Sequence, residues 1–309
     1  MTNKYNKFFV TGGTGTLGRA VVDFLYENTN SDIVVFSRDE FKQSQMAREY
    51  SNRVKFHIGD IRDIRSIRKS MRGCDFVIHS SALKHIDIGE FNPHEFIKTN
   101  IDGTTNVVDV AQEYGIKNLI GISTDKASDP SSLYGATKLI SDKIVIDANY
   151  TVVRLGNIIA SRGSFLEYAG KLDEIQITDE NMTRFWISKY DASKFIFSEN
   201  VMANSGCIVI PKMKSIKLGD MINGLFPLKK KKIVGLRHGE KMHETAISDF
   251  ESSIAVELHD CYVIHTTRSD AMLHINTSNG RIITSEITSE TVERYTDTDD
   301  ILNELRSNF

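Results

Sequence analysis

Tyr134 and Lys138 stand four residues apart in Tyr134-Gly135-Ala136-Thr137-Lys138, a spacing that puts a phenol and an ammonium on one face of a helix. A phenol ionises near pH ~10 and is a poor base at neutrality, so a cation one turn away is a direct way to activate it. Just upstream, Ser123-Thr124-Asp125-Lys126 supplies a hydroxyl to hold a substrate hydroxyl, a carboxyl group to act as an acid and an amine to act as a base. Near the start, Val10-Thr11-Gly12-Gly13-Thr14-Gly15-Thr16-Leu17-Gly18 fits G-x-G-x-x-G from Gly13 and G-x-x-G-x-x-G from Gly12. Glycines there let backbone approach a pyrophosphate and aim N–H groups at it from a helix N-terminus.

These groups need a sheet to hold them. Short apolar runs predict strands at Lys7–Val10, Asp32–Ser37, Val54–Ile58, Asp75–His79, Asn118–Ser123 and Thr151–Leu155. Amphipathic stretches predict helices over 16–28, 39–50, 63–71, 94–114 and 131–148, the fourth ended by Gly115. The alternation is that of an α/β chain with a doubly wound parallel sheet, a Rossmann domain over 1–161. It puts the phosphate loop after the first strand and Ser123–Lys126 at the carboxyl end of the fifth. From 162 the pattern breaks into short strands (Ile175–Thr178, Arg184–Ile187, Cys207–Ile210 and Lys232–Gly235), so 162–184 and 206–309 are expected to form a smaller substrate-binding lobe. A helix over 189–204 is expected to bring 185–205 back onto the first domain, and Ile301–Leu305 to end the chain in a surface helix.

Composition sets the outer limits. The chain has 309 residues with 38 basic and 41 acidic side chains, a net charge of −3, so no whole-protein field gathers nucleic acid or an anionic membrane. Lys229–Lys232 reads as a solvated edge rather than a nucleic-acid patch. Cys74, Cys207 and Cys261 lie far apart with neither disulfide nor zinc spacing, and no metal site is expected. There is no leader-like apolar run near Met1 and no stretch of 18 apolar residues, which predicts a soluble, cytoplasmic protein.

Which dinucleotide is bound depends on the end of the second strand, Val35-Phe36-Ser37-Arg38, with Lys42 one turn into the next helix. An acidic residue there would accept the ribose hydroxyls of NAD; Arg38 can instead pair with a 2′-phosphate, with Ser37 adding a donor, so NADP is expected. Asp39 reads as a helix cap. Asp60 and Ile61, closing the third strand, suit the amine and the face of adenine.

At these residues the chain resembles the extended short-chain dehydrogenase/reductases of the polysaccharide-biosynthesis group, and is most similar to their soluble inverting UDP-N-acetylglucosamine 4,6-dehydratases. The matching segments are Thr11–Gly18, Phe36–Gln43, Gly59–Asp63, Ala82–Ile86, Asn92–Asn100, Ser123–Ala127, Leu133–Lys138, Arg154–Gly163, Met182–Ile187 and Gly235–Glu244. Relatives that retain configuration at C5 carry Asp-Glu where this chain has Asp125-Lys126, and membrane-bound relatives carry Met where it has Tyr134. Ser80, Ser81 and His238 depart from the group's pattern. The resemblance implies further cofactor contacts from Ser81, Ala82, Lys84, Asn100, Ser123, Leu155 and Asn157. It implies a UDP-sugar site lined by Lys84, His85, Thr124, Asn157, Arg162, Arg184, Arg237 and Glu240, with Arg237 or Arg184 on the diphosphate, and a homo-oligomer. Two other readings are a nucleotide-sugar 4-epimerase, which has no need of Asp125-Lys126, and an NADP-sensing module, which would commonly lack the tyrosine. Under the dehydratase reading Tyr134 takes the C4 hydroxyl proton. Asp125, kept protonated, serves the C6 hydroxyl, and Lys126 takes the C5 proton as a neutral amine, its pKa expected to be lowered by burial and by Lys138.

Overall fold

The computed structural model describes residues 4–295. Its first half is a strict alternation: β1 (Lys7–Thr11), α1 (Thr16–Asn28), β2 (Asp32–Ser37), α2 (Glu40–Ala47), β3 (Val54–Ile58), α3 (Ile64–Met71), β4 (Phe76–His79), then α4 (Ile86–Phe91), α5 (Pro93–Phe96), α6 (Gly103–Glu113), β5 (Asn118–Thr124), α7 (Leu133–Asp147) and β6 (Thr151–Leu155). Apart from the edge strand β3, which has Lys55 and Ile58 exposed, the strands are almost wholly buried, as strands covered by helices on both faces must be. The predicted helix over 94–114 is broken: a π-helical turn, Ile97–Asp102, separates α5 from α6.

The second half contributes β7 (Asn157–Ile158), α8 (Phe165–Ala169), β8 (Glu174–Ile177), β9 (Thr183–Ile187), α9 (Lys189–Ile196), α10 (Glu199–Ala203) and β10 (Ile208–Pro211). These are followed by β11 (Lys214–Lys217), α11 (Leu218–Leu225), β12 (Lys230–Ile233), β13 (Thr245–Ile247), α12 (Asp249–Ser252), β14 (Ala255–Glu257), β15 (Cys261–Ile264), α13 (Arg268–Thr277), β16 (Arg281–Ile282) and β17 (Ile287–Thr288). The expected helix over 189–204 is two helices, because the Ser198 hydroxyl accepts from Val201 N–H and starts α10 afresh. The first of them, α9, lies against α1. The expected helix at 301–305 falls outside the described residues.

One ten-stranded sheet runs β16-β14-β15-β10-β6-β5-β4-β1-β2-β3. From β10 to β3 every pairing is parallel, and β15, β14 and β16 add an antiparallel edge. This corrects the lobe range 206–309: β10, β14, β15 and β16 belong to the main sheet, because Ile208, Val209, Val256 and Val263 extend its apolar faces. What remains as a lobe is the small sheet β11-β9-β7, the pairs β12-β8 and β13-β17, and a separate core around Leu166, Ile175, Trp186 and Ile222. The ends of β1, β2, β5 and β6 thus open toward the lobe side, where ligands of open α/β sheets bind. Among the described residues no helix is long and apolar enough to cross a membrane.

Candidate active site

The phosphate loop is held by its first turn. Gly12 has φ +64°, its N–H donates to Phe36 O at 2.8 Å, and a Cβ there would lie 3.0 Å from the Cα of Ser81. Only glycine allows that conformation and that approach. Gly15 is the N-cap of α1 without a side-chain cap, so the turn Thr14-Gly15-Thr16, with Leu17 and buried Gly18 behind it, presents helix N–H groups with a positive dipole end. The glycine cradle, free of Cβ atoms at Gly12, Gly13, Gly15 and Gly18, and the uncapped helix fit a pyrophosphate.

At the adenosine end Arg38 is 52% exposed and pairs with Asp60 at 3.7 Å, while Lys42 pairs with Asp39 at 2.6 Å. Asp39 caps α2 through Lys42 N–H, as expected. The Ser37 hydroxyl accepts from Gln43 at 3.0 Å, which leaves its own O–H to donate. Asp60 is bonded to the backbone and guanidinium of Arg62; burial opposes its charge, but these bonds outweigh it and hold the carboxyl below its ordinary range. Ile61 is buried under Gly103, so it has little side-chain surface left for an adenine face.

Other expected contacts are differently used. Asn100 is buried, its amide bonded to Leu83 N–H, Leu83 O and the Thr137 hydroxyl, so its side chain clamps the 83 loop to α7 instead of reaching a ligand. Ser123 donates to Asp142 at 2.6 Å. Arg162, expected beside the sugar, lies over the phosphate loop: its guanidinium bonds Thr14 O and its N–H meets the Thr16 hydroxyl at 3.0 Å. Lys84 bonds the Ser161 hydroxyl at 2.7 Å and Arg162 O at 3.1 Å, and the His85 ring lies against Gly163. Lys84, His85 and Arg162 are therefore brought together, with the 160–163 loop as their meeting point. Ser81 and Ala82 follow β4 beside Gly12, and Leu155 closes β6 in the core.

Tyr134 and Lys138 sit on α7, whose N-cap Ser132 accepts from Gly135 N–H. Gly135 was not singled out, yet a Cβ there would lie 2.2 Å from Lys126 O. Its absence lets α7 close onto the 3₁₀ turn Asp125–Ala127 and brings the phenol beside the acid/base pair. Asp125 is fully buried; Thr124 donates to its Oδ1 at 3.0 Å and the Lys126 ammonium to the same atom at 3.0 Å, while Oδ2 has no partner. Lys126 also reaches Asn157 Oδ1 at 3.3 Å and Glu244 Oε1 at 3.3 Å. Burial, with Glu244 adding to it, raises the Asp125 pKa against the pull of Lys126 and Thr124. For Lys126 the expected lowering is overturned: burial pulls that way, but Asp125 and Glu244 outweigh it and the ammonium is held above its ordinary range. Burial likewise pushes the Tyr134 phenol up to about 12, with Lys126 and the Thr124 hydroxyl pulling down; the expected lowering by Lys138 is not found. Lys138 itself is lowered by burial against the pull of Asp142.

Beneath this floor lies a second buried charge row. Arg154, wholly buried on β6, makes a bidentate pair with Glu251 at 2.9 and 2.9 Å, bonds Ala246 O at 2.8 Å, and stands 4.0 Å from Asp142. Behind the loop, His79 bridges Thr11 at 2.8 Å and Thr104 at 3.0 Å. Since Thr104 donates to Asn100 O, its hydroxyl is left to accept from His79 Nε2–H, which makes Nδ1 the acceptor. Burial, with Lys138 adding to it, pushes that imidazole down to about 3 and keeps it neutral.

On the lobe side, Arg184 differs from expectation. Its guanidinium is held by Thr183 O, Met242 O and Lys241 O at 2.7, 3.2 and 3.0 Å, with Glu244 at 3.5 Å, so it braces the 241–244 segment and is not turned to a diphosphate. Arg237 is half-exposed, with Asp87 at 3.5 Å, and Glu240 accepts its backbone N–H. Sequence reasoning chose Glu240 within Gly235–Glu244 and passed over Glu244, whose only signal was its place at the end of that matching segment.

Comparison with known proteins fits this geometry. Residues 8–266 match the family described as polysaccharide biosynthesis protein. Over 280 residues, 85% of this chain and 84% of the other, the chain is 44% identical to a Campylobacter jejuni protein named UDP-N-acetylglucosamine 4,6-dehydratase (inverting). A Rickettsia canadensis protein named UDP-glucose 4-epimerase is 35% identical over 277 residues, covering 82% of this chain and 81% of its own. The solved structure of Pen from Bacillus thuringiensis superposes with a TM-score of 0.88 at 28% identity, covering 99% of both chains.

Proposed function

The chain belongs to the polysaccharide biosynthesis protein family, and on that premise we propose that it is a UDP-N-acetylglucosamine 4,6-dehydratase acting with inversion at C5. Its product is UDP-2-acetamido-2,6-dideoxy-L-arabino-hex-4-ulose. The observation that carries the reading is the buried Asp125–Lys126 contact beside Tyr134: removing water from C5 and C6 needs a base and an acid beyond the tyrosine, whereas epimerisation at C4 needs no second acid/base pair.

Tyr134, once ionised, removes the C4 hydroxyl proton, and Thr124, beside the phenol, orients that hydroxyl. A nicotinamide dinucleotide held there would supply reversible hydride chemistry between C4 and C6, with no net redox change. With a ketone at C4 the C5 proton becomes acidic, and Lys126 takes it once its amine is free of the proton that its carboxylate neighbours hold there. Asp125, kept neutral by burial, donates to the C6 hydroxyl, which leaves as water. C5 is then protonated from the opposite face. Gly12, Gly15 and the first turn of α1 cradle the pyrophosphate. Arg38 and Ser37 take a 2′-phosphate, which favours NADP, and Arg237 takes the sugar diphosphate.

The test is turnover of UDP-N-acetylglucosamine in D₂O followed by NMR. Deuterium at C5 with the inverted ring coupling pattern is expected. A D-xylo product would overturn inversion, and interconversion at C4 without loss of water would move the chain to the epimerases.

A further inference from the structure

Lys126 has two carboxylate neighbours, and only one of them comes from its own stretch of chain. Asp125 is adjacent in sequence; Glu244 arrives from the segment before β13 and places Oε1 3.3 Å from the ammonium. This placement is built. The backbone of Glu244 exchanges hydrogen bonds with Ser289, its N–H reaching the Ser289 hydroxyl at 2.9 Å and its O accepting from Ser289 N–H at 2.8 Å. Ser289 is fully buried and also bonds Thr183. Arg184, braced by three carbonyls, holds the same Oε1 from the other side at 3.5 Å. The Glu244 side chain is 5% exposed and that of Lys126 18%, so water screens this pair weakly.

We propose that Glu244 is a positioning residue that fixes the Lys126 ammonium in place and sets its proton affinity, so that the strength of the C5 base belongs to the Lys126–Glu244 pair. The proposal rests on the dehydratase reading for its catalytic consequence but not for its physical content. The charged and titratable groups facing Lys126 are Asp125 on its own turn, Tyr134 from α7, and Glu244 and Arg184 from the lobe, with Lys241 acting on Glu244. Asp125, 3.0 Å away, is the larger of the two carboxylate pulls on the ammonium, although burial raises its own pKa. Glu244 stays ionised: burial opposes its charge, but Lys126 and Arg184 outweigh it. Glu244 thus adds a second carboxylate beside the amine, one whose own pKa is lowered. Removing it leaves Asp125 alone against burial and Arg184, which moves Lys126 toward the neutral amine, the form a base requires.

The experiment is an NMR titration of protein carrying ¹³Cε-labelled lysine, with the Lys126 signal assigned through Lys126→Arg. Wild-type Lys126 should remain protonated to the top of the accessible pH range. In Glu244→Gln its titration should fall by at least one pH unit, a tenfold change in proton affinity. Glu244→Asp keeps the charge but draws it back by about one bond, and should shift the signal less; it provides the answer if Glu244→Gln does not fold. In the pH profile of kcat for dehydration the rising limb should move to lower pH in the same order, with KM little changed. An unmoved Lys126 titration in the folded variants would overturn the proposal, as would loss of activity at every pH without a shift of the limb. The titration needs no substrate, so a wild-type enzyme that fails to dehydrate UDP-N-acetylglucosamine would overturn the functional reading alone.

Discussion

The two ends of the ligand cleft follow different electrostatic rules. At the adenosine end Arg38, Lys42 and Asp39 stand in water, each at least one-third exposed and paired with near neighbours in sequence or space. At the catalytic end Asp125, Lys138, Asp142 and Arg154 are at most 5% exposed, and the local pairs are joined there by partners from far along the chain, Glu251 on Arg154 and Glu244 on Lys126. In the first region Lys42 holds the Asp39 carboxyl below its ordinary range, as their closeness in sequence suggests. In the second, protonation is decided by packing, and a lysine and a tyrosine both move opposite to the direction their local motif suggests. The difference teaches that recognition can be read from a short stretch of sequence, while acid–base poise is a property of the folded whole.

The catalytic end should show the largest response. Tyr134→Phe should lower kcat by about 10³–10⁴-fold with the dinucleotide still bound, as measured by turnover and by cofactor retention on gel filtration. Retained activity would mean the buried phenol is not the C4 base. Next, Glu251→Gln strands the Arg154 charge in the core and should reduce unfolding free energy by about 3–5 kcal/mol in denaturant titration. The same pair gives a pH signature. Burial opposes the Glu251 charge, but Arg154 outweighs it and lowers the carboxyl from 4.5 to about 2. Its stabilisation is therefore complete above pH 4.5 and lost as pH falls from 4.5 toward 2, and acid unfolding of Glu251→Gln should lack that component.

At the exposed end effects should be smaller. Arg38→Asp should shift the NADP-over-NAD preference by about 2 kcal/mol, and equal dissociation constants before and after would remove Arg38 from the 2′-phosphate. Smallest of all, Asp39→Ala should cost about 1 kcal/mol by uncapping α2, seen as a modest fall in melting temperature. A loss as large as that of Glu251→Gln would erase the contrast between the two ends.

Much of this was legible in the sequence. β2, β3 and β6 fall on the expected residues: β2 and β6 are mainly apolar runs and β3 alternates apolar and polar side chains, each bounded by turn residues. The glycine loop and the Tyr134–Lys138 spacing are local patterns, and local patterns survive folding. What was not legible is where two such patterns meet. Ile208–Pro211 reads as a strand in either location, and only pairing with β6 and β15 reveals which sheet it joins. Arg162 and Arg184 have the same chemistry; one leans on the phosphate loop and the other braces the lobe, a distinction set by backbone carbonyls that no side-chain motif encodes. Glu244 was invisible as a partner of Lys126 because sequence distance hides a contact of 3.3 Å.

The π-helical turn at Ile97–Asp102 has a further consequence, one of phase. An α-helix advances about 100° per residue, so a wider turn acts as an inserted residue, and everything downstream is rotated relative to a straight rod. Asn100 points at the 83 loop and Thr137, and Thr104 at His79, from a helix whose two ends are out of step. Deleting one residue within 97–102 would leave the composition of this stretch almost unaltered, yet turn the face of α6 by roughly a quarter circle. Such a chain would keep its glycine loop and its tyrosine but lose the register between them.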